Sequence, residues 1–310
     1  MLDYNTKAHT IQQVAEASPE SVGVKSTDSY LAVPHLSVVK TIEKKVKKEI
    51  KKGCLKNFKI VSNEQHLNGS NKQMFGKMIL EHNDLDSENG NALRFCIGYR
   101  NSYDKSLPLQ LVFGSVVVVC SNMMFQGENF SFRKHTKGKA ENESEAKFYE
   151  DFKNLLDKAI KKGVEIHNLN HETRNEWQKT YFKDDSVLAE FLGGLVFCKN
   201  GAEVHFKKGF ALNNQQLSIL KSEIDNPKHS EFERDELSRK FSVWAVYNCI
   251  TEALKKSRPE LVSEQYLSAH NYMDYFVKFN SERFENQEII DEINEKIEMK
   301  KLEEKMKNEI

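Results

Sequence analysis

The stretch from Leu93 to Thr136 constrains this chain most. It reads LRFCIGYRNSYDKS, LPLQ, LVFGSVVVVC and SNMMFQGENFSFRKHT. Leu93 to Arg100 and Leu109 to Cys120 are apolar runs of strand length, and a polar knot of Arg100, Asn101, Ser102, Asp104, Lys105 and Ser106 separates them. Turn-forming residues between two such runs predict two strands and a tight connection. The VVVV of the second run is β-branched throughout, which suits a strand covered on both faces. A second polar knot, with Cys120, Asn122, Arg133, Lys134 and His135, closes the segment.

The flanking sequence supplies the partners of this hairpin. Residues 1–30 are polar and predict a loosely held arm with one short helix around Thr10 to Ala17. Val33-Pro34-His35 then introduces a helix in which Val38/Val39, Ile42, Val46 and Ile50 recur at helical spacing. Gly53 stands where a C-terminal cap glycine belongs. Phe58 to His66 and Gln73 to Glu81 predict a strand pair around Asn68-Gly69-Ser70-Asn71, and Asn83 to Asn91 is a further polar turn. A helix followed by four or more antiparallel strands is an α+β pattern, placed here at residues 31–140.

From Glu141 the periodicity turns helical. Phe148, Phe152, Leu155/Leu156 and Ala159/Ile160 predict an amphipathic helix ended by Gly163; Tyr181 to Phe197, Asn213 to Ile224 and Phe241 to Lys256 predict three more. Residues 141–280 therefore read as a helical half packed on the α+β core, and five prolines without a linker predict one body. Residues 281–310 read as a charged amphipathic tail helix carrying Ile290, Ile293, Ile297, Leu302 and Met306. That helix is either a homo-oligomer contact or a frayed surface element.

A chain of 310 residues buries a substantial core, and 19 Phe against 2 Trp make that core Phe-rich. Lys plus Arg and Asp plus Glu balance at 46 each, which excludes coating of nucleic acid by global charge. The distribution is uneven: Lys40 to Lys59 holds nine Lys and two Glu, while Ser281 to Ile310 holds ten acids and six bases. No signal-peptide pattern and no apolar run of bilayer length occur, so no membrane partner and a cytoplasmic location are expected. The five Cys are scattered without zinc spacing and are read as buried free thiols. His167, His171 and Glu172 form HxxxHE rather than HExxH and are read as part of a surface helix or loop. Without a Walker loop, GxGxxG or GxSxG, no cofactor, metal or catalytic site is expected.

Several segments resemble the phage and plasmid proteins of the domain-of-unknown-function 932 family: VPHLSVVKTIEKKV, IGYRNSYDKSLPLQLVFGSVVVVCSNMMFQGE, RKHT at Arg133 to Thr136 and WAVYNCITEALK at Trp244 to Lys255. Together they lie within residues 33–260. Met123-Met124 and Gln126 depart from a more regular N-L-A-F-S-G-E run. The resemblance implies a mobile-genetic-element context rather than a reaction.

The chemistry-bearing residues point to nucleic acid, with binding or annealing of single-stranded DNA favoured. Lys44, Lys45, Lys48 and Lys52 form either a solvated helix surface or a nucleic-acid-facing stripe. Arg100 and Lys105 are candidate phosphate ligands with Asn101 and Ser102 beside them, or else members of a structural turn in which Asp104 neutralises a base. Phe130 with Arg133, Lys134, His135 and Lys137 offers a ring next to cations, as a single-strand channel requires, although Phe130 equally fits a strand core. Cys120 and His135, with Asn122, are a weak nucleophile–base pair. The alternative from another class is an interaction protein that inhibits a host defence or replication factor.

Overall fold

The computed structural model describes residues 8–27, 30–83, 93–117, 123–124, 130–132, 145–197, 212–229, 233–257 and 261–308. Cys120, Asn122, Arg133, Lys134, His135, Lys137 and nearly all of the polar turn at 83–91 lie outside them. The chain forms two compact units, Met1–Asn170 with Arg258–Ser263, and His171–Ser257 with Glu264–Ile310.

The first unit is the α+β part. Helices α1 (Ile11–Glu16) and α2 (His35–Lys52) precede an antiparallel meander of β1 (Phe58–Leu67), β2 (Gln73–His82), β3 (Leu93–Ser102) and β4 (Leu109–Val117). Two short strands, β5 (Met123–Met124) and β6 (Phe130–Phe132), both pair with β4. In the β1–β2 turn, Asn71 takes a φ of 55° and the side-chain oxygen of Asn68 accepts from the N–H groups of Lys72 and Gln73. This is the local side-chain bonding that favours Asn in turns.

The two-residue strand period then sorts the sheet's faces. Met74, Met78 and Leu80, Phe95, Ile97 and Tyr99, and Leu109, Leu111 and Phe113 share one core with Val38, Val39, Ile42 and Val46 of α2. Helix α3 (Glu145–Gln178) adds Phe152, Leu156, Ala159 and Ile160 to it. Strand β4 is buried at every position from 109 to 116; of the β-branched run at 116–119 only Val116 has a described environment, and it is buried.

Two local expectations change, and a third, the Gly53 cap, holds in a different backbone conformation. Gly163 does not end α3, which continues to Gln178; a β-carbon at Gly163 would strike the Phe113 and Phe95 rings. Its helix-propensity cost of about 1 kcal/mol is offset by the close seat it gives α3 on the sheet. Gly53 ends α2 with a φ of −128°, in extended rather than left-handed backbone, and a β-carbon there would meet the Glu49 carboxylate. Within the N-terminal segment, residues 9–17 are fastened rather than loose. Thr10 and Gln13 form a capping box, Val14 and Ala17 are buried, and the His9 N–H donates to the Gln65 carbonyl at 2.8 Å.

The second unit takes the last turns of α3, then β7 (Thr180–Phe182), α4 (Asp185–Phe197), α5 (Asn214–Asp225), α6 (Val243–Leu254), α7 (Val262–Phe279), β8 (Phe284–Asn286) and α8 (Gln287–Asn308). β7 pairs antiparallel with β8. Helix α6 is buried at every position but Glu252, and the Ser242 hydroxyl caps it by accepting from the Ala245 N–H. Helix α7 is the element that the periodicity reading misses, although Tyr266, Ala269, Met273 and Phe276 are buried at helical spacing. In α8 Ile290 is buried, whereas every side chain from Glu298 to Leu302 is exposed. No helix among the described residues is long and apolar enough to cross a membrane. The units divide after Asn170, well beyond the change of character at Glu141, because the first turns of α3 belong to the sheet's core.

Candidate nucleic-acid interface

Helix α2 has two opposed faces. Val38, Val39, Ile42 and Val46 have 0% exposure. Burying four such side chains contributes on the order of 8 kcal/mol before entropy, which fixes the helix's rotation on the sheet. The opposite face then has to carry what remains of the sequence. Lys40, Lys44, Lys48 and Lys52 form one i,i+4 row, and Glu43, Lys47 and Lys51 form the next. A shallow groove of about 620 Å³ runs between the two rows. Its walls come from one helix, so it is a furrow on an exposed surface and no enclosed cavity.

The charges in this furrow are unevenly compensated. Lys47 pairs with Glu43 at 2.5 Å. Among the described residues no carboxylate lies within ion-pair distance of Lys40, Lys44, Lys48, Lys51 or Lys52. Lys51 and Lys52 also sit in the last turn, where the helix dipole favours cations. Lys45 does not join them. Its ammonium pairs with Glu49 at 2.9 Å and with Asp157 of α3, and its side chain is only 10% exposed. The Lys45 hydrogen bond, followed by opposing desolvation and a bond from the Cys54 N–H, leaves the Glu49 carboxyl below its ordinary value. Lys45 therefore fastens α2 to α3, while Lys47 and Lys51 join the groove as the lysine stripe predicts and Lys40 is the groove residue that sequence reasoning does not single out.

The RNSYDKS knot closes around the start of this helix. Asn101 and Ser102 have 0% exposure. The Asn101 amide donates to the Val33 carbonyl at 2.9 Å and lies 2.8 Å from His35 Nδ1. His35, the first residue of α2, stacks on Tyr103 at 3.9 Å, and its Nε2 lies 3.3 Å from the Asn71 carbonyl. The Tyr103 hydroxyl accepts from the His35 N–H at 2.7 Å and donates to the Ala17 carbonyl at 2.9 Å. Tyr30 donates in turn to the Tyr103 carbonyl at 2.9 Å. Ser102 bonds within its own turn, donating to the Leu107 carbonyl at 2.8 Å. Asn101 and Ser102 thus have their side chains committed inside the protein, in a clasp that holds the N-terminal segment, α2 and the β3–β4 turn together. His35, Tyr103 and Tyr30 are the members that sequence reasoning misses; a His directly after Pro at a helix start was the available signal.

Asp104 is held by hydrogen bonds from Ser106 and Gln73. Burial pushes its carboxyl up, but hydrogen bonds from the Ser106 side chain and N–H and from Gln73 outweigh that and leave it below the usual carboxylate range. Lys105 is exposed, at a φ of 63°, with its ammonium 4.5 Å from the centre of the Tyr30 ring. Arg100 is half-buried and alternates with Tyr99 and Asn101, so it occupies the sheet face turned away from α2. The lysine furrow and Arg100 therefore do not converge. Phe130 is the register partner of Leu111.

The HxxxHE residues are not on a loop. They lie within α3, and His167 is fully buried. Its Nδ1 is 2.8 Å from Ser115 Oγ, which accepts from the Asn170 amide at 3.0 Å, under the rings of Phe58 and Phe95. A Ser–His pair of this length suits a nucleophile and base, yet solvent does not reach it, so it serves as a polar cross-link between β4 and α3. No group of His, Cys, Asp or Glu arranged to hold a metal occurs among the described residues. No protein-family model, no curated protein and no solved structure matches the chain.

Proposed function

We propose that the protein binds nucleic acid, a single strand in preference, through the lysine face of α2, in the mobile-element setting that its family resemblance implies. The observation that carries this reading is the set of five lysines along one helix face that have no ion-pair partner among the described residues. From Lys40 to Lys52 the row is about 18 Å long at 1.5 Å per residue. All five of its lysines are exposed. A flexible strand can follow such a row and bring a phosphate to each ammonium, whereas a duplex backbone winds away from it.

Counterion release makes the reading quantitative. Five phosphate contacts give a slope of log K against log salt of about −3.5 for a single strand and about −4.5 for a duplex. The test is fluorescence anisotropy of a labelled single-stranded oligonucleotide at several salt concentrations, with a Lys44→Glu/Lys48→Glu/Lys52→Glu variant alongside. Wild type is expected to bind with the steep slope and the variant to lose binding while keeping its circular dichroism spectrum. Absence of binding at low salt would abandon nucleic acid as the ligand and leave an acidic protein surface as the next polyanion to assay.

A further inference from the structure

The second unit encloses an aromatic cage that the proposed interface does not use. His270 of α7 is 1% exposed. Its ring lies 5.1 Å from Trp177 of α3 and 5.9 Å from Tyr247 of α6. Tyr247 in turn lies 5.0 Å from Trp177 and 6.0 Å from Trp244. Neither ring nitrogen of His270 has a hydrogen-bond partner among the described residues, and the same holds for the Tyr247 hydroxyl and Trp244 Nε1. Buried polar groups are normally paired. Here the unit's core holds polar rings in contact without cross-linking them.

The charged groups around the cage do little for a cation inside it. On α7, Asp274 and Lys278 follow His270 by one and two turns and pair with each other at 2.9 Å. From α3, the Arg174 guanidinium lies 5.9 Å from the centre of the Trp244 ring, adding positive charge to the surroundings. From α6, the Tyr247 hydroxyl is held protonated by burial, which raises its pKa. No carboxylate among the described residues lies within ion-pair distance of His270.

We propose that His270 is an acid switch, whose protonation inside the cage opens the second unit and is reported by Trp177 and Trp244. A neutral imidazole is tolerated among rings, but an imidazolium without hydrogen bonds or a counter-charge is not. Burial first, against a weak opposing pull from Asp274, lowers the His270 pKa from 6.5 to about 4. The folded value lies below the unfolded one, so the open chain takes up the proton first. Stability is complete above pH 6.5 and is lost as the pH falls towards 4, and the closed-to-open ratio drops roughly 30-fold by pH 5. Glu252 and Asp235 of the same unit have carboxyls below their ordinary values, because hydrogen bonds overcome the upward push of burial. Their protonation therefore adds its cost only at more acidic pH.

The chain carries its own probe, since its only two tryptophans both line the cage. The experiment follows tryptophan emission and the thermal midpoint of the full-length protein from pH 7.5 to 4.0. A red shift and a falling midpoint that begin below pH 6.5 are expected. His270→Phe, which keeps a flat ring without a titrating nitrogen, and His270→Gln should both be level between pH 7.5 and 5. Should neither variant fold, the ring-proton chemical shift of His270 in the wild type decides, with a midpoint below 5 expected. A level wild-type profile down to pH 5, an unchanged acid loss in a folded variant, or a His270 midpoint above 6 would each overturn the switch.

Discussion

The two compact units bury imidazoles in opposite ways. In the first, His167 sits at 0% exposure with Ser115 Oγ 2.8 Å from its Nδ1 and Asn170 bonded behind it. In the second, His270 is as deeply buried, but its ring nitrogens have no hydrogen-bond partner among the described residues. The first is a cross-link and the second a tolerated intruder. Burial alone says little about a histidine; the pairing of its nitrogens decides whether losing it costs stability or keeping it does.

Replacing each histidine by leucine breaks or sharpens that contrast, and it is the largest effect expected. His167→Leu strands Ser115 and Asn170 in the core and should cost about 3 kcal/mol in denaturant unfolding at pH 7.5. His270→Leu removes no hydrogen bond and should change stability by less than about 1.5 kcal/mol. Equal losses would mean that the cage is paired in solution and the comparison is false.

A smaller effect, about 2 kcal/mol, is expected from Gly163→Ala. The change improves helix propensity but pushes a methyl into the Phe113 and Phe95 rings. Thermal unfolding followed by circular dichroism measures the balance. A stabilised protein would mean that α3 is seated less closely on the sheet than the His167 cross-link requires.

The smallest change in stability belongs to the lysine furrow. Lys44→Glu, Lys48→Glu and Lys52→Glu alter exposed side chains that make no ion pair among the described residues, so the triple variant should unfold within about 0.5 kcal/mol of wild type. Its nucleic-acid affinity is the quantity expected to collapse. A large loss of stability would show that this face is covered and is not a binding surface.

Much of the fold was legible along the chain. The Val38, Val39, Ile42 and Val46 spacing, the Asn68 to Asn71 turn and the apolar run from Leu109 specify their elements locally, because period and turn chemistry act within a few residues. Helix α7 escapes the periodicity although its pattern is regular, and Gly163 predicts too short an α3 because a glycine in sequence carries no information about the ring that fills its vacant side. The candidate site was legible in part. A lysine-rich face opposite an apolar one follows from helical geometry, so Lys44, Lys48 and Lys52 needed no structure to find.

What the sequence by itself determined is the α+β order, the two faces of α2 and the neutral total charge within which a basic stripe exists. What only the tertiary structure decided is which polar residues face inward. Lys45 turned to Glu49 and Asp157, Asn101 closed on His35 and Val33, and His167 and His270 were given opposite surroundings. The physical reason is that each outcome depends on partners supplied by elements distant along the chain. Periodicity records which face of an element is buried; the hydrogen bonds and charges that await it there belong to the packing.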